Sequence, residues 1–140
     1  MTTDAPSDPG RVLALDFGTA RTGVAVSDPT GVLVRPLDPV LKANSSDGLA
    51  SIADLVASLE VTRIVVGLPV GLQGDTVQTE RSRSFAARLR QHVDVPVELF
   101  DERFTSRMAD RTRQETGSTA SRDSLAASHL LESWMEARTA

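Results

Sequence analysis

Two short apolar runs, Val12 to Leu15 and Val24 to Val26, flank a turn that opens on a carboxylate, Asp16, and carries Gly18 and Gly23. Runs this short, bounded by glycine and polar residues, read as buried strands, so residues 13–28 predict a hairpin. The rest of the chain has to pack around that pair. Asp16 closes the first strand, where a side chain on a rigid element can project into a cleft. The two glycines admit a turn geometry or a close neighbour that a β-carbon would exclude. Asp-x-Gly is also ordinary turn chemistry, so a functional role for Asp16 has to be argued from the other residues.

Taken in order, the chain reads as mixed α/β. Asp28-Pro29-Thr30-Gly31 has the composition of a tight turn, and Val32 to Leu37 then completes an antiparallel meander. A loop from Asp38 to Asp47 leads to a helix from about Gly48 to Leu59, whose Leu49, Ile52, Val56 and Leu59 recur at helical spacing. Ile64-Val65-Val66-Gly67 is a wholly apolar run, as expected of a central strand buried on both faces. The Gly-rich loop Leu68 to Asp75 lacks the Gly-Lys-Ser/Thr ending of a nucleotide-binding P-loop, and a second helix follows to about Gln91. Val95 to Phe100 supplies a fifth strand ending in Asp101-Glu102-Arg103, and a short helix runs from about Thr105 to Glu115. Ser121 caps a last helix, Arg122 to about Ala137. With right-handed crossovers this order predicts a five-stranded mixed sheet, 3-2-1-4-5, flanked by helices.

The 140 residues suit one domain, residues 11–140, behind a flexible tail, residues 1–10. The absence of cysteine excludes disulfides, thiolate metal sites and a thiol nucleophile. No apolar run approaches the roughly 20 residues of a membrane helix. The first ten residues lack the basic and apolar regions of a signal peptide, so a cytoplasmic location is expected. A net charge of -4 argues mildly against nucleic-acid binding, yet eight of the fifteen basic residues lie between Arg81 and Arg113. All eight are arginines, which suit bidentate phosphate contacts. Arg103, Arg107 and Arg111 are four apart and share one face if that stretch is helical. His92 and His129 receive no role.

The last helix sharpens the reading. From Asp123, helical steps reach Ala126, Ala127, Leu130, Leu131 and Trp134, which places Asp123 in the first turn of the apolar, sheet-facing side. An acid in a first turn also complements the helix dipole, but that does not require the inward face. In the expected sheet, strands one, four and five are parallel, so Asp16 and Glu102 leave the same edge. A carboxylate cluster there, with Asp123, would bind hard cations such as Mg2+ through oxygen and serve phosphodiester hydrolysis. Strands one and five are two spacings apart, about 10 Å. Glu102 must therefore reach inward across the exit of strand four, which offers no acid.

These residues resemble the YqgF family, also called RuvX: Holliday-junction-resolvase-like proteins of the ribonuclease H-like superfamily, assigned as pre-16S rRNA nucleases. The resemblance runs from Leu13 to about Trp134. It rests on Asp16 with Arg21 to Asp28, Val66-Gly67-Leu68-Pro69 with Gly74, Phe85-Ala86-Ala87-Arg88-Leu89, Pro96-Val97, Asp101 to Ser106, and Asp123-Ser124-Leu125-Ala126-Ala127. It implies that Asp16, Glu102 and Asp123 are catalytic and bind Mg2+ or Mn2+, with Asp101 able to substitute for Glu102. Arg21 and Arg103 match basic residues of the family motifs and, with Arg107 and Arg111, are expected to contact nucleic acid, RNA before DNA. It also implies a role in ribosome biogenesis, 5'-end maturation of precursor 16S rRNA on pre-ribosomal particles, by a monomer or homodimer. Thr22 and Phe104 depart from the usual apolar residue and leucine, which reads as packing, and the approach to Asp123 is less basic than the family pattern. Three alternatives share some of these features: a Holliday-junction DNA endonuclease, a non-catalytic nucleic-acid module acting in transcription or ribosome assembly, and an actin-like ATPase, whose first phosphate loop Asp16-Phe17-Gly18-Thr19 resembles.

Overall fold

The computed structural model describes residues 10–104 and 121–139. Its elements are β1 (Arg11–Asp16), β2 (Arg21–Ser27), β3 (Val34–Leu41), α1 (Ser46–Ser58), β4 (Val61–Leu68), α2 (Val77–Arg90), β5 (Val97–Asp101), a 3-10 turn (Glu102–Phe104) and α3 (Arg122–Thr139). The sheet order is β3-β2-β1-β4-β5, with β1 antiparallel to β2 and parallel to β4, and β4 parallel to β5. This is the expected topology. The helix expected from Thr105 to Glu115, with Arg107 and Arg111, lies outside the described residues.

Side chains alternate across the sheet with the period of two that a strand imposes. Leu13, Leu15 and Phe17 join Ile64, Val66 and Phe85 in one core, under α1 and α2. Val12, Ala14, Ala25 and Val65 pack on the opposite face against Ala127, Leu130, Leu131 and Trp134 of α3. β1 and β4 are thus covered on both sides, which is why their sequences are apolar without interruption.

Element boundaries differ from the sequence reading where side chains compete for the backbone. The third strand begins at Val34 and not Val32, and Val32 and Leu33 are 75% and 70% exposed. Asp28 is responsible: its carboxylate accepts the backbone N–H groups of Val32 and Leu33, each at 2.9 Å, and so prolongs the turn. β3 then continues through Pro36 and Pro39 to Leu41, into the stretch expected to be loop. Proline is tolerated there because β3 is an edge strand. α1 starts earlier than Gly48, because Ser45 accepts the Gly48 N–H at 3.0 Å and caps it.

The first turn of α3 sits directly on the sheet. A β-carbon on Gly23 of β2 would lie 1.8 Å from the Asp123 carbonyl oxygen, so only glycine lets the helix approach this far. The β2–β3 register shifts between Thr22 and Val24, and Ser124 fills the interruption. Its hydroxyl donates to the Leu37 carbonyl at 2.6 Å and accepts the Val24 N–H at 3.2 Å. Ser121 in turn accepts the Ser124 N–H at 3.1 Å, the expected N-cap. Gly23→Ala should force α3 off the sheet and lower unfolding free energy by about 1–3 kcal/mol, measurable by urea denaturation beside the parent. An unchanged midpoint would show that the helix is not held this closely.

Candidate active site

Asp16 is the last residue of β1 and pairs in register with Gly23, the residue on which α3 rests. Its side chain follows Val12 and Ala14 onto the α3 face. Glu102 is the first residue after β5 and forms a side-chain hydrogen bond with Asp16. To do so it crosses β4 as the spacing of the strands demanded, and Gly67 makes the room: a β-carbon there would stand 2.7 Å from Glu102 Oε1 and 3.2 Å from Leu130 Cδ2. Sequence reasoning placed Glu102 but overlooked Gly67. The signal was available, since a glycine closing a wholly apolar strand often marks a close approach.

The third acid is held differently. Asp123 lies near enough to Asp16 for their charges to interact, but its carboxylate receives an ion pair from Arg21 Nε at 3.2 Å. Among the described residues no three acidic or histidine side chains stand close enough to enclose a cation. The structure therefore brings Asp16 and Glu102 together and keeps Asp123 beside them, neutralised by Arg21. Asp101 points elsewhere. Arg103 donates to it from Nε at 3.1 and 3.0 Å, from Nη2 at 2.6 Å and from the backbone at 2.8 Å.

Electrostatics follow from this geometry. Burial, then the charge and hydrogen bond of Asp16, push the Glu102 carboxyl up to about 7. Asp16 is also raised, chiefly by burial and further by the charge of Asp123, against the lowering effect of the Glu102 hydrogen bond. The hydrogen bond between them lowers Asp16 and raises Glu102, so Glu102 is the more readily protonated acid of the pair. Asp101 moves the other way, lowered by its hydrogen bonds with Arg103. Two neighbouring acids thus have opposite environments, one facing a buried carboxylate and the other a guanidinium.

Among the described residues the arginines expected to grip substrate are largely occupied, and Arg107 and Arg111 lie outside those residues. Arg83 pairs with Asp75 at 3.1 Å and Glu80 at 3.4 Å, Arg88 bonds Asn44, and Arg90 bonds the Val97 carbonyl. Arg103 and Arg21 hold Asp101 and Asp123. Of the two departures read as packing, Thr22 is fully buried with its hydroxyl 3.4 Å from both backbone polar atoms of Gly18. Phe104 is exposed among the described residues, tilted 6.2 Å from Phe100, so packing into the core does not account for it.

A mixed sheet in the order β3-β2-β1-β4-β5, with acids at the ends of β1 and β5 and at the foot of the final helix, defines a protein of the ribonuclease H-like class. The fold is similar to that of T. thermophilus RuvC in complex with Holliday junction substrate, with a TM-score of 0.65 and 12% identity, covering 93% of this chain and 96% of that one. A family model described as RuvX, Holliday junction resolvase, matches residues 10–137, and the chain belongs to the RuvX family. A relative from Koribacter versatilis, named "Putative pre-16S rRNA nuclease", is 42% identical over 135 residues, 92% of this chain and 88% of that protein. One of the same name from Mycobacteroides abscessus is 38% identical over 143 residues, 95% of this chain and 86% of that protein. This membership decides against the actin-like ATPase.

Two tests follow from the Asp16–Glu102 contact. Gly67→Ala should displace Glu102 from Asp16 and lower cleavage by about tenfold or more, since a misplacement of about 1 Å can cost 10²-fold. Retained activity, with Glu102 still titrating high by carboxyl-selective NMR, would show that the extra methyl is accommodated. The second test is the pH dependence of stability in chelator. The folded chain keeps the Glu102 proton to about pH 7, whereas the unfolded chain releases it near the ordinary value of 4.5. The folded state therefore binds more protons in that window, and stability present below it is lost as pH rises through it. Melting temperature should fall between about pH 5 and about pH 7.5, and Glu102→Gln should flatten that fall. A parent protein whose melting temperature rises over the same range would contradict the raised Glu102 carboxyl.

Proposed function

We propose that the chain is a metal-dependent nuclease that hydrolyses phosphodiester bonds at the 5' end of precursor 16S rRNA, with Asp16, Glu102 and Asp123 as its catalytic acids. One observation carries this reading: Glu102 lies across Gly67 to hydrogen-bond Asp16, beside Asp123. An arrangement that forces two carboxyls together in a half-buried place opposes folding unless something gains from it. The donors are all oxygen, and a hard cation among them would relieve the repulsion between their charges, so the residues fit Mg2+ or Mn2+. A divalent cation there would stabilise charge on the phosphoryl oxygens and make water acidic enough to attack.

The residues themselves have separable tasks. Asp16, on the rigid end of a central strand, is the anchor of the set. Glu102 holds or gives up a proton according to what occupies the space beside Asp16. Arg21 neutralises Asp123, and its ion pair must loosen if Asp123 is to turn toward the other two acids. Their exposure, 63% and 34% of the side chains, makes that a small cost. All three acids belong to one chain, so the reading holds for a monomer as well as a homodimer.

The preference for RNA is supported by the names of the relatives, and action on pre-ribosomal particles in the cytoplasm is part of the same proposal. Among the described residues no helix is long and apolar enough to cross a membrane. DNA junction cleavage is the second reading, favoured by the description of the family. Purified protein should be incubated with precursor rRNA ends and four-way DNA junctions, each with chelator, Mg2+ or Mn2+. Cleavage of RNA ends that requires the cation and vanishes in Asp16→Asn is the expected result. Exclusive cleavage of the DNA junction would favour the second reading, and full activity of Asp16→Asn would exclude the metal mechanism.

Asp123 has its own test. If it joins Asp16 and Glu102 around a cation, Asp123→Asn should melt no lower than the parent in chelator and gain less from added Mg2+, by binding linkage. If it only favours the helix N-terminus, losing its charge should cost about 0.3–1 kcal/mol and leave cleavage intact. Paired melts and cleavage assays separate the two.

A further inference from the structure

On the opposite face of the sheet from the acids, a cavity of about 620 Å3 opens between the turn after β1 and the first turns of α2. Its size falls within the ordinary range for small-ligand sites, about 300–1,000 Å3. Phe17 and Val77 supply apolar lining, and the Phe17 ring is held rigid by stacking on Phe85, centroids 4.5 Å apart. A second cleft of about 370 Å3 is lined by Glu102 and Arg103, and Thr76 lines both. A strand crossing the sheet edge at Thr76 would pass from one cleft to the other.

The polar lining is selective. Asn44 Oδ1 accepts from Arg88 Nη1 at 2.9 Å, which leaves the amide N–H groups of Asn44 to donate at the cavity. Thr19 and Ser84 add hydroxyls that donate or accept. Asp75 and Glu80 stand in the same wall, each tied to Arg83, so the wall carries both signs and does not suit phosphate alone. Arg81 completes it. Among the four arginines of α2, Arg83, Arg88 and Arg90 are spent on intramolecular contacts, while Arg81 has no partner among the described residues.

We infer that this cavity is a nucleotide subsite: the nucleobase packs beside Phe17 and Val77 and accepts from Asn44, while Arg81 contacts the attached phosphate. Its position relative to the scissile bond rests on the nuclease reading, but binding does not. The test is amide and side-chain NMR on the full chain without metal, titrated with uridine or guanosine 5'-monophosphate and with ribose 5-phosphate. The nucleotides should move the Asn44 side-chain amide and the Thr19 and Ser84 backbone signals, and ribose 5-phosphate should not. Arg81→Ala should weaken nucleotide binding about tenfold, the effect of losing one charged hydrogen bond, and Asn44→Ala should weaken it while preserving the remaining spectrum. Equal shifts with ribose 5-phosphate, shifts confined to another region, no binding, or unchanged affinity in both variants would overturn the subsite. Because no cleavage is measured, an inactive protein that still binds the nucleotide would count against the nuclease reading alone.

Discussion

The approach of α3 to the sheet sets the position of nearly everything else at the functional edge. Backbone touches backbone at Gly23, with the Asp123 carbonyl where a side chain would otherwise begin. Ser124 can then reach into the irregular β2–β3 pairing and satisfy a donor and an acceptor that the ladder leaves open. Because Gly23 is the register partner of Asp16, the same contact that seats the helix delivers Asp123 to Asp16. A structural device and a chemical one coincide, and neither can be altered without the other.

A second close approach, at Gly67, solves the distance between β1 and β5. Two strand spacings separate their ends, and no side chain from β5 could cross an ordinary residue on β4. Removing one β-carbon lets Glu102 lie over the strand and meet Asp16. Burial and the charge of Asp16 raise the Glu102 carboxyl, because two desolvated carboxyls cannot both ionise cheaply. Arg21 treats the third acid with a permanent charge instead. The site thus sets a hydrogen-bonded carboxyl pair beside an acid neutralised by a guanidinium.

Charge counts alone do not say what each arginine does. Their clustering in sequence suggested a nucleic-acid grip, yet Arg83, Arg88, Arg90 and Arg103 bond residues of the fold itself. Arg83 and Arg103 hold carboxylates and Arg88 holds Asn44, while Arg90 ties the end of α2 to Val97 at the start of β5. Arg81, two positions before Arg83 on the chain, faces a cavity and has no such duty among the described residues. What an arginine does is decided by which acids and carbonyls lie within reach.

Much of this protein was legible before any coordinates. The meander, the strand order and both buried strands followed from apolar runs and right-handed crossovers, because burial on two faces leaves an unmistakable uninterrupted pattern. Asp16, Glu102 and Asp123 could be named from their places at strand and helix ends. The sequence could not show that Asp28 would take the Val32 and Leu33 amides and delay β3, since a side chain's choice among nearby donors depends on the turn it closes. Nor could it show which groups press against Gly23 and Gly67, or that Arg21 turns to Asp123. Those are contacts between residues 35 to 102 positions apart in the chain, and only the packed fold, by bringing backbone to backbone and charge to charge, decided them.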